Sequence, residues 1–107
     1  MMRFGQMIKI KPECLEAYKK HHANPLPGVN EMIKECHLQN YSIYSRGDYL
    51  FTSYEYVGDD YEADMAKMAA DPVTQQWWDI VKPLMQPLED RAEGEFWSDM
   101  AEIYHLD

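Results

Sequence analysis

The chain has 107 residues, 46% hydrophobic and 27% charged, with ten basic against nineteen acidic side chains and a formal charge of −9. That length suits one domain burying roughly two-thirds of its unfolded surface, and the acidity argues against nucleic acid or anionic membranes as partners and for a neutral ligand. No signal-peptide pattern opens the chain, no apolar run approaches the ~20 residues of a bilayer span, and Cys14 and Cys36 read as intracellular thiols, so a cytoplasmic protein is expected.

Met2 to Ile10 carries loose apolar alternation through Phe4, Met7, Ile8 and Ile10 and predicts a first strand. Pro12 suits the first position of a helix, Glu13 and Glu16 make its first turn acidic, and Leu15, Tyr18 and His22 mark one face. The helix should stop near Ala23, because Pro25 and Pro27 remove donors and disfavour helical backbone before them. A second helix is predicted over Val29 to Cys36, with Val29, Met32, Ile33 and Cys36 as its buried stripe. Leu38 to Tyr44 and Tyr49 to Val57 alternate around the turn residues Ser45-Arg46-Gly47-Asp48 and predict a β-hairpin. A helix follows from about Asp60 to Ala70. Asp71-Pro72, an N-cap carboxylate before a proline, opens another that carries Trp77, Trp78, Ile80 and Val81 and ends or kinks at Pro83. Gln86 to Glu95 reads as loop and Met100 to Leu106 as a final strand.

The order β-α-α-β-β-α-α-β is an α+β, ferredoxin-like plan with each helix position split in two. Its antiparallel sheet carries helices on one face. The other face would expose Tyr and Phe unless two copies packed those faces together, so a homodimer is expected.

The chemistry centres on Tyr18 and His22, four residues apart and so on one helix face. With an ordinary pKa of about 6.5, imidazole both gives and takes protons near neutrality. His21 points about 100° away and should face solvent. Trp77 and Trp78 cannot both face the core squarely: one should pack and the other line a cleft or interface. A proton-transfer group with a flat indole wall suits a small polar substrate that has hydrophobic faces, such as a monosaccharide. On the hairpin, Tyr41 and Ile43 share one face and Asn40, Ser42 and Tyr44 the other; alternation leaves open which lies beneath the helices. Cys14, His21, His22, Cys36, His37 and His105 form no metal-ligand pattern, and no glycine-rich phosphate loop is present, so neither metal nor cofactor is expected.

Together these motifs resemble the L-rhamnose mutarotase family. The matching residues are Lys11-Pro12 leading to Tyr18-x-x-x-His22, Pro27, Asn40-Tyr41-Ser42-Ile43-Tyr44, Gln76-Trp77-Trp78 with Met85, and Glu102-Ile103-Tyr104-His105-Leu106. The ordered set covers nearly the whole chain. The resemblance implies a dimeric ferredoxin-like α/β barrel and interconversion of the α and β anomers of a 6-deoxy sugar, L-rhamnose or a relative such as L-fucose. Through it the proton donor falls on His22, the sugar-binding tyrosines on Tyr18 and Tyr41, and the tryptophan pair on Trp77 and Trp78. Pro25-Leu26-Pro27-Gly28 and the Glu89-to-Trp97 stretch depart from the family pattern and would reshape the rim of the pocket. The rival readings are a cofactor-free monooxygenase of the same barrel type, acting on a polycyclic aromatic, and a non-catalytic ligand-binding dimer.

Overall fold

A computed structural model describes all 107 residues. The first strand, β1 (Met2–Ile10), is followed by a 3-10 turn (Pro12–Cys14) and helices α1 (Leu15–Ala23) and α2 (Val29–Glu35). The hairpin is β2 (Leu38–Arg46) and β3 (Tyr49–Tyr56). Helices α3 (Tyr61–Ala70) and α4 (Pro72–Val81) come next, then a 3-10 turn (Lys82–Leu84) and the short strands β4 (Met85–Gln86) and β5 (Ser98–Met100). The strands lie in the order β2-β3-β1-β4, all antiparallel, with β5 beside β4 along the same edge of β1. This is the ferredoxin-like α+β plan.

Alternation decides which side of the sheet is covered. Ile8 and Ile10 of β1, with Leu50, Thr52, Tyr54 and Tyr56 of β3, are buried beneath the helices. Phe4, opposite Tyr54 in register, stacks on Tyr61 of α3 at 5.1 Å. The core divides in two: Ile8, Ile10, Tyr18, Val29, Leu50, Trp77, Val81 and Met85 near α1 and α4, and Cys36, Leu38, Tyr54, Tyr56 and Met68 near α3. Trp78 and Ile33 pack against both. Asp60 caps α3 by accepting from the Ala63 N–H at 3.1 Å, and Asp71 caps α4 by accepting from the Thr74 N–H at 2.9 Å.

Several boundaries differ from the sequence reading. Pro12 opens a 3-10 turn rather than the α-helix, with the Cys14 N–H donating to the Lys11 carbonyl at 2.8 Å before α1 begins. The hairpin strands continue to Arg46 and Tyr49, leaving only Gly47, at φ +57°, and Asp48 as the turn. The final strand is Ser98–Met100, not Met100 to Leu106. Met100 pairs with Gly5, so the same register brings Glu102 opposite Arg3, and the two form a double hydrogen-bonded ion pair at 2.9 and 3.0 Å. β1 begins at Met2, so residues beyond Ile103 have no strand left to pair with. Tyr104 and Leu106 are accordingly exposed, as is Ile103 at the margin of the sheet.

The hairpin contains an irregularity that sequence alternation did not reveal. Asn40 takes a left-handed conformation, φ +50°, and the β2–β3 register shifts between Gln39 and Ser42. Gln39 and Asn40 consequently point the same way, both donating to the Glu55 carboxylate, at 2.9 and 2.7 Å. That β-bulge turns Tyr41 and Ile43 to the helix-covered face.

Candidate active site

Helix α1 lays Tyr18 and His22 one above the other, with ring centroids 4.2 Å apart. His22 Nδ1 lies 2.9 Å from the Tyr18 carbonyl oxygen. A carbonyl only accepts, so Nδ1 carries the proton and, in the neutral ring, Nε2 keeps its lone pair. Trp77 of α4 meets the His22 ring edge-on at 5.0 Å, and its own indole is buried. Burial lowers the His22 pKa; the hydrogen bond to the Tyr18 carbonyl opposes this, and the nearby His21 lowers it further. Burial also raises the Tyr18 pKa, with Tyr41 adding to the effect. At neutral pH the pair is therefore an uncharged imidazole with an open Nε2 and an intact phenol.

Tyr18 and His22 share a small cavity of about 130 Å³. Its remaining lining comes from Leu15 and Lys19 of α1 and from Ile43, Tyr44, Ser45 and Leu50 of the hairpin. Lys19 stands at the helix surface, 3.5 Å from Glu16. A larger hollow, about 460 Å³, lies away from this group, lined among others by Arg3, Gly5, Asn40, Ser53, Glu55 and Glu102. The smaller cavity matters for chemistry, because it alone of the two contains a proton-transfer pair.

The structure thus gathers three of the five residues singled out by sequence: Tyr18, His22 and Trp77. Tyr41 stacks on Tyr54 at 4.9 Å, nearly parallel. Although 41% of the residue is exposed at the outer strand, burial of its phenol raises its pKa, opposed by a hydrogen bond with Thr52. Trp78 lies outside the His22 group, with the Lys82 ammonium held 4.5 Å from its ring centroid and 5.2 Å from that of Phe96. His21, expected in solvent, is half-buried and edge-on to Trp77 at 6.4 Å.

Lys19, Ser45 and Leu50 were not singled out by the sequence. Ser45 and Leu50 are directly paired across the hairpin on the face of Ile43, so the register of the hairpin was the signal for them. No three His, Cys, Asp or Glu side chains converge as a ligand set for a metal ion, and no helix is long and apolar enough to cross a membrane.

Residues 3–106 match the family model for L-rhamnose mutarotase. The chain belongs to the L-rhamnose mutarotase family. It is 29% identical to an L-rhamnose mutarotase of Lactiplantibacillus plantarum over 107 residues, covering 100% of both chains. With an L-rhamnose mutarotase of Ligilactobacillus salivarius the identity is 31% over 111 residues, covering 99% of this chain and 98% of that one. The fold is similar to a crystal structure of L-rhamnose mutarotase from Formosa agariphila, with a TM-score of 0.76 at 19% identity and 100% coverage of both chains. The family is one of isomerases, which sets the chemistry to be asked of His22.

Proposed function

We propose that this protein interconverts the α and β anomers of L-rhamnose, or of a related 6-deoxy sugar such as L-fucose, in the cytoplasm and without a cofactor. The observation that carries this reading is the His22 ring, whose Nδ1 is engaged at 2.9 Å by the Tyr18 carbonyl while burial keeps the ring neutral. Nε2 accepts the proton of the anomeric hydroxyl as the bond from C1 to the ring oxygen breaks. The ring oxygen takes a proton from water or a neighbouring hydroxyl, with the Tyr18 phenol hydrogen-bonding to it. Rotation about C1–C2 exposes the other carbonyl face. On closure the C5 hydroxyl gives its proton back to the water or hydroxyl that supplied it as it attacks C1, and the imidazolium returns its proton to O1, so His22 is the base in opening and the proton donor in closing. Atoms balance and no electrons are transferred.

Tyr41 anchors a sugar hydroxyl in this reading. Of the tryptophan pair, Trp77 stands behind His22, edge-on to its ring, and is the part of the expected indole wall nearest the site, while Trp78 is braced by Lys82 and Phe96 outside the His22 group. The cavity of about 130 Å³ suits a monosaccharide. It is far below the roughly 300–1,000 Å³ of pockets for larger ligands, which weighs against the monooxygenase alternative.

Two copies are proposed to pack their uncovered sheet faces together. Tyr44, Tyr49 and Met100 are exposed there, and the tail residues Ile103, Tyr104 and Leu106 lie exposed beyond the end of β5. Light scattering on the eluted protein should give twice the chain mass; a monomer at micromolar concentration overturns the dimer.

Exchange NMR between the two anomers, with and without protein, tests the activity. Added exchange for L-rhamnose or L-fucose, lost in a folded His22→Asn protein that still binds sugar, is the expected result. Full exchange in His22→Asn would refute the role of His22, and no added exchange with either sugar would refute the mutarotase reading and leave the ligand-binding dimer.

A further inference from the structure

The two oxygens that exchange protons when anomers interconvert, O1 and the ring oxygen, are both bonded to C1. A side chain that acts on the ring oxygen must therefore share a cavity with the base that acts on O1. Beside His22, the small cavity holds four side chains with a hydrogen to donate: Tyr18, Lys19, Tyr44 and Ser45. Leu15, Tyr18, Lys19 and His22 follow the i, i+3, i+4 and i+7 stripe of α1. Lys19 thus belongs to the helix face that carries the proton-transfer pair, whereas Lys20 does not line the cavity.

We infer that the Lys19 ammonium is a further catalytic group of this site, hydrogen-bonding to the ring oxygen and stabilising the negative charge that grows on it as its bond to C1 breaks. The inference rests on the mutarotase reading and adds to it the cation that assists ring opening. With His22 neutral, Lys19 is the only charged side chain lining the cavity, and no carboxylate lines the cavity to neutralise it. Its ion partner, Glu16, lies 3.5 Å away one turn earlier, and both side chains are more than half exposed. A pair of that kind is held weakly, so the ammonium can exchange it for a substrate oxygen. The other donors are neutral. Burial pushes the Tyr18 phenol up, so it keeps its proton, and Tyr44 and Ser45 offer hydroxyls at exposed positions of the hairpin. A hydrogen bond from a cation is roughly twice as strong as one from a neutral donor. It also strengthens as the ring oxygen gains charge, which is what lowers the barrier rather than merely binding the sugar. The proton of the ring oxygen still comes from water or a hydroxyl, and Lys19 keeps its charge throughout the cycle.

Exchange NMR over a range of L-rhamnose concentrations, with variants of Lys19 and Glu16, tests this. Removing one donor from a water-excluded oxyanion site costs about 10²–10³ in kcat. The Lys19 ammonium is open to water on one side, so Lys19→Met should lower kcat by less, about tenfold, with KM changed by less than about twofold. Lys19→Arg keeps the charge and should exchange the anomers several times faster than Lys19→Met. Glu16→Gln removes the ion pair but not the ammonium and should leave kcat at the native value. If circular dichroism shows that Lys19→Met fails to fold, Lys19→Gln is read in its place with the same expectation. Native kcat in the uncharged variant overturns the inference, as does a loss confined to KM. So does an equal loss in Lys19→Arg, or in Glu16→Gln, which would mean that the residue acts through its shape or through the ion pair on the helix. None of these results touches the mutarotase reading, which fails only if the native protein accelerates neither L-rhamnose nor L-fucose; that outcome overturns both.

Discussion

His22 Nδ1 lies 2.9 Å from the carbonyl oxygen of Tyr18, four residues earlier on the same helix. The backbone of α1 thus selects the tautomer, and no carboxylate partner stands behind the ring to hold it protonated. Burial lowers its pKa from the usual value of about 6.5. Catalysed anomer exchange should therefore be flat through neutrality and fall only on the acid side, with a half-point below pH 6.5. Stability carries the same sign: below about pH 6.5 the unfolded chain takes up a proton that the folded imidazole resists, so acidification costs stability as pH falls through that value toward the folded pKa. A half-point above 6.5 in the exchange rate, measured from pH 5 to 8, would show that a different group controls the reaction.

Trp77 and Trp78 are neighbours in sequence but separate in role, and the acid limb of the same profile tells them apart. Trp77 shields His22 edge-on at 5.0 Å, whereas Trp78 lies 4.5 Å from the Lys82 ammonium and belongs to another contact set. Trp77→Leu should admit water to the imidazole and move the half-point up toward 6.5, with the rate reduced about tenfold or more. Trp78→Leu should leave the half-point in place while lowering the melting temperature, because Trp78 packs against both core clusters. Identical shifts of the half-point in the two variants would contradict this division.

The secondary structure was largely legible because its signals are local. The Asp71 cap, the prolines after Ala23 and the alternation of β3 each act within a few residues. The Tyr18–His22 pair was legible for the same reason, since helical spacing alone brings it together. Two features were not. The helix-facing side of β2 depends on one backbone torsion at Asn40, which inverts the phase of everything after it. The length of the last strand depends on where β1 starts, a residue about a hundred positions away in sequence. Ser45 and Leu50 escaped notice for a related reason: they enter the cavity only through strand register, and neither residue type suggests a site.

Asn40 offers a direct test of that phase inversion. At φ +50° an asparagine is tolerated, a glycine more so, and a β-branched residue is strained by roughly 1–2 kcal/mol. Asn40→Gly should keep the bulge, losing only the exposed hydrogen bond to Glu55. Asn40→Val should lower the melting temperature by about 4–8 °C for each kcal/mol and disturb the Tyr41–Tyr54 stack, visible as a changed near-ultraviolet circular dichroism of the tyrosines. Equal melting temperatures for the Val and Gly proteins would mean that the bulge is not fixed by this torsion.

At the end of the molecule away from His22, Asp64 of α3 joins the hairpin. It accepts from the Tyr56 hydroxyl at 2.5 Å and from His37 Nδ1 at 2.9 Å. First Tyr56 and then His37 hold its carboxyl below the ordinary carboxylate range, while burial and the same carboxylate push the Tyr56 phenol up to about 12. A carboxylate whose pKa is lowered by folding contributes stability that is complete above the unfolded value of about 3.9 and is lost as pH falls through the folded one. Asp64→Asn should therefore be less stable than the native protein at pH 7, and the gap should close as pH falls from 5 to 2. His37→Gln, which leaves the Tyr56 bond intact, should show the same convergence with a smaller gap. Urea midpoints across that range decide the matter: a gap independent of pH would mean that Asp64 does not act through the charge of its carboxylate.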